Sequence, residues 1–193
     1  MPERAKKNIG FLVSGRGSNM AAVLAEIADG RLDAEARVAI CDNPAALALK
    51  LAADRGLPAV LVEKKNFPGR REFEEAMVRV LKEYRVGLVV LAGFMRLVGP
   101  AFLSAFSGRV INIHPSLLPA FPGLEAQKQA LDHGVKIAGC TVHHVNEAMD
   151  GGRIIAQAAV AVEPGDTVES LSARILAQEH QLLARAIATL DLD

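Results

Sequence analysis

Short apolar runs alternate along the chain with longer segments in which apolar side chains recur every three or four positions. Residues 8–13 read as a buried strand, and Ser14-Gly15-Arg16-Gly17-Ser18-Asn19 leads into a helical pattern over 20–28. Residues 36–41 form a second strand, and Asp42-Asn43-Pro44 opens a helix to about residue 55, with proline in its first turn. A short strand over 59–62 and a loop over 64–70 precede a helix at 71–84, whose apolar face carries Phe73, Met77, Val80 and Leu81. Residues 86–92 are apolar on both faces, as in the middle of a parallel sheet. A strand from Val110 runs into a proline-rich loop, followed by a helix over 124–133. Residues 137–145 and 153–162 read as strands whose connection, 146–152, is short enough for an antiparallel pair. After Pro164-Gly165-Asp166-Thr167, a final helix runs to about residue 189 with Leu171, Ile175, Leu182 and Leu183 on its core side.

This order predicts an α/β fold: a doubly wound, mostly parallel but mixed sheet with helices on both faces. Ligands of such sheets bind beyond the carboxyl ends of the strands, which singles out the loops 14–19, 93–98 and 114–123. With 193 residues, 51% hydrophobic and 23% charged, the chain fits one domain with a sizeable core. Lys+Arg and Asp+Glu both number 22, so no net positive field is available for nucleic acid or an anionic membrane, and the expected partners are small molecules. The two cysteines, Cys41 and Cys140, fit no disulfide or metal pattern and suit buried thiols in a reducing cytosol. The seven residues before the first strand lead into an apolar run too short for a signal peptide, and no run is long enough to span a bilayer. A cytoplasmic protein, monomer or homodimer, is expected.

The chemistry concentrates in Val110-Ile111-Asn112-Ile113-His114-Pro115-Ser116-Leu117-Leu118-Pro119-Ala120-Phe121-Pro122-Gly123. Strand alternation puts Asn112 and His114 on one face and Ile111 and Ile113 on the other, while three prolines stiffen the loop beyond the strand. The plain alternative is that His114 ends a strand and Asn112 satisfies a turn. Gly15 and Gly17 permit a tight turn whose following helix offers free amides to an oxyanion, a phosphate cradle unless Ser18 simply caps the helix. Met20 stands where a dinucleotide fingerprint has its third glycine, so a monophosphate suits the loop better. Asp150 precedes two glycines and reads equally as a turn residue, but a strand from Ile137 lying beside Asn112 would carry His143 and Asp150 toward the platform. Only one of His143 and His144 can line that site. No metal-ligand spacing and no GxSxG element occur. Glu179 and His180 default to a helix surface. Asn, His and a carboxylate together suit acyl transfer to an amine without a covalent enzyme intermediate: two donors for a developing oxyanion and a carboxylate to accept a proton.

Four motifs in this order, Ser14-Gly-Arg-Gly-Ser-Asn19, Leu91-Ala-Gly-Phe-Met-Arg-Leu97, Ile111-Asn-Ile-His-Pro-Ser-Leu-Leu-Pro119 and His143 through Asp150-Gly-Gly, resemble the phosphoribosylglycinamide formyltransferases, folate-dependent enzymes of purine synthesis. The resemblance runs over residues 8–185. It implies that Asn112, His114 and Asp150 transfer formyl from 10-formyltetrahydrofolate to the amine of glycinamide ribonucleotide, with no metal. It further implies that Gly17, Ser18 and Asn19 hold the phosphate and Glu179 the ribose. The folate would lie against Arg70, Met95, Arg96, Leu97 and Val98 and against Cys140, Thr141, Val142, His143 and His144, although Met95 and Leu97 also suit plain core packing. One domain, 1–193, would then comprise a phosphate-binding half (8–100) and a catalytic and folate-binding half (101–193). Gln127 stands where many relatives have histidine, and Met20-Ala21-Ala22 replaces a commoner Leu-Gln pair.

Related activities make different demands. A methionyl-tRNA formyltransferase needs a further domain and a basic surface, and a formyltetrahydrofolate deformylase usually carries an amino-terminal regulatory domain; neither is expected here. A nucleotide-binding oxidoreductase would use the first glycine loop and Asp42, but leaves Asn112, His114 and Asp150 without a role.

Overall fold

A computed structural model describes residues 6–191; the reading of the extreme amino terminus as no signal peptide falls partly on residues 1–5, outside them. Seven strands form one sheet in the order β3-β2-β1-β4-β5-β6-β7. They are β1 (Lys7–Val13), β2 (Ala34–Cys41), β3 (Ala59–Leu61), β4 (Leu88–Leu91), β5 (Val110–His114), β6 (Ile137–His144) and β7 (Ile154–Ala161). The first five run parallel, and β6 and β7 pair antiparallel. The predicted mixed, doubly wound sheet is therefore the observed one, with its strand order reversing between β1 and β4.

Helices cover both faces: α1 (Ser18–Ala28), α2 (Leu47–Asp54), α3 (Arg70–Glu83), α4 (Pro100–Ala105), α5 (Ala126–Asp132) and α6 (Val168–Thr189). On one face Ile9, Phe11, Ile111, Ile113, Cys140 and Val142 pack against Met20, Val23, Ala48, Ala130, Leu171, Ile175 and Leu183. On the other, Leu12, Ile40, Val89 and Val110 meet Phe73, Met77, Leu81, Phe102 and Phe106. Strands buried on both sides have apolar residues at every position, which is why β4 is buried throughout.

Several boundaries differ from expectation. The second helix starts at Leu47, not after Asp42, because Asn43 first closes a turn: its side-chain oxygen accepts from Ala45 N at 3.0 Å and its carbonyl from Ala46 N at 3.1 Å. α1 is capped by Gly17 at φ 75° with no side-chain cap, so Ser18 is the first helical residue and not the cap. α5 begins at Ala126, two residues late, behind Glu125 at φ 55°. α4 and a 3-10 turn at Lys64–Asn66 have no counterpart among the elements expected from the sequence.

Candidate active site

The carboxyl ends of β1, β4 and β5 lie side by side, and the loops leaving β1 and β4 are bonded together. Ser14 N donates to the Gly93 carbonyl at 3.0 Å, and Met95 N donates to Ser14 Oγ at 2.9 Å. On β5, Ile111 and Ile113 enter the core beneath α6, leaving Asn112 and His114 together on the opposite side. The antiparallel partner sets His143 across from Asn112. β6 ends beside the beginning of β5, where Val145 N bonds the Val110 carbonyl at 2.9 Å. The connection beyond it folds back, and Asp150 Oδ2 comes to 3.4 Å from His114 Nδ1 and Oδ1 to 3.7 Å from His143 Nε2.

Proton positions in this cluster are set by the partners. A carbonyl oxygen only accepts, so His114 Nε2, 2.9 Å from the Phe121 carbonyl, carries a proton. Its other ring nitrogen, Nδ1, is the one that faces the Asp150 carboxylate. His143 Nδ1 donates to the His144 carbonyl at 2.9 Å, and its unprotonated Nε2 accepts from Asn112 Nδ2 at 3.2 Å. Burial holds the His143 imidazole below its usual value, which keeps that nitrogen an acceptor. The Asn112 amide is thereby oriented, with its second N–H still to give. Asp150 stands at φ 50° and accepts from Gly123 N at 2.8 Å, fastening the proline loop to the carboxylate. The loop is held further by Thr141, whose hydroxyl donates to the Ser116 carbonyl at 2.7 Å and accepts from Leu118 N at 3.0 Å.

At the predicted phosphate cradle, a side chain on Gly17 would stand 2.8 Å from Ala48 Cβ. The backbone therefore approaches α2 closely, and the first turn of α1 has no side-chain cap. Asn19 Nδ2 donates to Glu179 Oε2 at 2.9 Å. Glu179 is not at the helix surface, the default expectation for it, but buried, and burial raises its carboxyl above the usual range against the lowering effect of Asn19. Asn19 Oδ1 is buried with no protein partner.

The residues expected around a folate divide into two groups. Met95 and Leu97 are 70% and 56% exposed, so neither is core, and Arg96 Nε reaches Asp42 Oδ2 at 2.5 Å. Arg70 Nη2 donates to the Leu97 carbonyl at 3.1 Å. Val98, Cys140, Thr141 and Val142 are buried within the fold, and burial pushes the Cys140 thiol up to about 12. His144 faces Arg153 Nη2 at 3.3 Å, away from the cluster around His143. Sequence reasoning missed Leu124, exposed beside Gly123, and Met149, exposed beside Asp150; their position next to catalytic candidates was the available signal. It also missed a cleft of about 380 Å³ between α4 and the β6–β7 connection, lined by Leu103, Phe106, Val145 and Asn146 among others. Among the described residues, no group of three or more His, Cys, Asp or Glu side chains is arranged to hold a metal ion.

A family model described as formyl transferase matches residues 7–187. The chain belongs to the formyl transferase family. Within it, the chain is 43% identical to the phosphoribosylglycinamide formyltransferase of Bacillus subtilis over 175 residues, 91% of this chain and 90% of that protein. It superposes on the glycinamide ribonucleotide transformylase 1 of Symbiobacterium toebii with a TM-score of 0.95 and 49% identity, covering 96% of this chain and 88% of that one. It is also 44% identical to the trifunctional purine biosynthetic protein adenosine-3 of Drosophila pseudoobscura pseudoobscura, but spans only 14% of that protein's length. The resemblance carried by the four motifs is thus a family relationship, and the Rossmann-like α/β fold is that of solved glycinamide ribonucleotide transformylases.

Proposed function

We propose that this formyl transferase moves the formyl group of 10-formyltetrahydrofolate to the amine of glycinamide ribonucleotide, yielding formylglycinamide ribonucleotide and tetrahydrofolate in purine synthesis. The observation that carries the reading is the meeting of Asn112, His114 and Asp150, contributed by β5 and by the connection that folds back from β6. It is supported by the names of relatives and solved structures that match nearly the whole chain. The acceptor's phosphate sits on the first turn of α1 at Gly17, Ser18 and Asn19, with Glu179 toward the ribose. The pterin end of the folate sits against Met95 and Leu97.

Asn112 donates its free N–H to the formyl oxygen as the amine nitrogen attacks the formyl carbon and the carbonyl electron pair moves onto that oxygen. Asp150 takes the proton released by the new ammonium, directly or through water. His114 gives a proton to the folate nitrogen as its bond to the formyl carbon breaks with the electron pair. Passage of the proton from Asp150 to His114 across their 3.4 Å contact restores the starting state, so no net proton stays on the enzyme. His143 acts by orienting Asn112.

A steady-state assay following tetrahydrofolate release with and without glycinamide ribonucleotide tests the reading. One formylated ribonucleotide per folate consumed is expected. Equal release without the ribonucleotide would make the enzyme a deformylase.

A further inference from the structure

A buried carboxylate outside the reaction cluster interrupts the apolar face of α3. Glu74 lies among Phe73, Ala76, Met77 and Leu81 and is 3% exposed. An ionised group at such a position is costly unless fully bonded. Its Oε1 accepts from Arg70 Nε at 2.6 Å and from Gly99 N at 2.8 Å, and Arg70 passes a second donor to the Leu97 carbonyl. Gly99 has an extended backbone at φ −100° that any residue can adopt, so its glycine answers to space instead. A Cβ there would meet Glu74 Oε2 at 3.0 Å and Arg70 Nη2 at 3.1 Å.

We infer that Glu74 is a positioning residue that presets the 95–99 loop as the apolar wall receiving the folate. The Glu74–Arg70 pair secures one end of the loop at Leu97 and Gly99. Ser14 Oγ and Asp42 secure the other at Met95 and Arg96. Met95 and Leu97 project into solvent from a backbone tied at both ends. A loop whose backbone is already tied loses little further backbone freedom when a flat aromatic ring covers its side chains, so rigidity here becomes affinity. The inference rests on the folate-dependent reading of the site.

The test compares Glu74→Ala, Glu74→Gln and Gly99→Ala with wild type, reading kcat, KM for each substrate, Tm, and the Kd of tetrahydrofolate alone. Losing a charge-assisted bond at a buried carboxylate is expected to raise folate KM and Kd about tenfold to a hundredfold in Glu74→Ala. Gly99→Ala, which displaces the carboxylate, should move in the same direction. Glu74→Gln keeps an acceptor for Gly99 N and should fall between. Ribonucleotide KM and kcat should stay within about twofold, because Asn112, His114 and Asp150 are untouched. Unchanged folate Kd in folded Glu74→Ala or Gly99→Ala would overturn the inference. So would a lowered Tm and active fraction with normal KM for both substrates, the pattern of a merely structural role. If Glu74→Ala does not fold, the other two variants decide. Because Kd is read without ribonucleotide, a wrong acceptor assignment leaves the comparison standing, whereas a wild type that binds no folate overturns both readings.

Discussion

Asn112 and His114 differ in what their removal leaves behind. Asn112→Ala removes the proposed oxyanion donor and frees His143 Nε2; His114→Ala removes the proposed proton donor and leaves Asp150 with Gly123 N at 2.8 Å and His143 Nε2 at 3.7 Å. Each is expected to lower kcat by about 10²–10³, the scale for losing one transition-state donor, with folate KM nearly unchanged. Near-normal turnover in either would remove that residue from the chemistry. Glu179 makes a prediction about pH. Burial raises its folded pKa above the ordinary 4.5, so between those two values the folded state holds a proton that the unfolded state has released. Its contribution to stability is full below the ordinary value and is lost as pH rises through the folded one. Glu179→Gln keeps an acceptor for Asn19 and has no charge to bury. Its Tm relative to wild type should therefore climb as pH is raised from 4.5, whereas a constant difference would show that Glu179 does not titrate in this range.

At the scale of elements, β6 does more than extend the sheet. Thr141, fully buried in it, holds the proline loop by both its donor and its acceptor. Thr141→Val keeps the shape and strands Ser116 O and Leu118 N, which should lower unfolding free energy by about 1–3 kcal/mol in urea titrations. Gly17→Ala forces a side chain against Ala48 at a left-handed backbone position, so both Tm and affinity for a phosphorylated acceptor should drop. A normal ribonucleotide KM would move the phosphate elsewhere. Elements with a strong period were legible: the apolar β4, the alternating β5, and α3 with its stripe of Phe73, Met77 and Leu81. α4 was not, since six residues are too few to display a helical repeat. The late start of α2 was hidden because Asn43 and Pro44 both signal a boundary and only the hydrogen bonds of Asn43 decide which side of it is helix. The shared face of Asn112 and His114 could be read because strand alternation fixes it, and the approach of Asp150 because β6 lies beside β5. Glu179 was misread because its partner, Asn19, is local only in space.

For the whole molecule, the two apolar layers are unequal partners. The face carrying α3 and α4 relies on a few large side chains, and Phe102, fully buried, is the main one contributed by α4. Phe102→Ala is expected to cost about 3–5 kcal/mol in equilibrium unfolding. A loss below about 1 kcal/mol would mean that α4 is held by its backbone at Gly99 and not by its packing. Among the described residues, no helix is long and apolar enough to cross a membrane. The helix α6 ties both ends of the first strand region: Lys7 Nζ donates to the Ala188 carbonyl at 2.7 Å, and Asn19 meets Glu179 across 160 positions of sequence. On a ribosome the chain emerges in order, so Asn112, His114 and Asp150 are all in hand before Glu179 has been made. The buried bond between Asn19 and Glu179 therefore waits for the last helix, and closes only after the groups clustered around His114 have been synthesised.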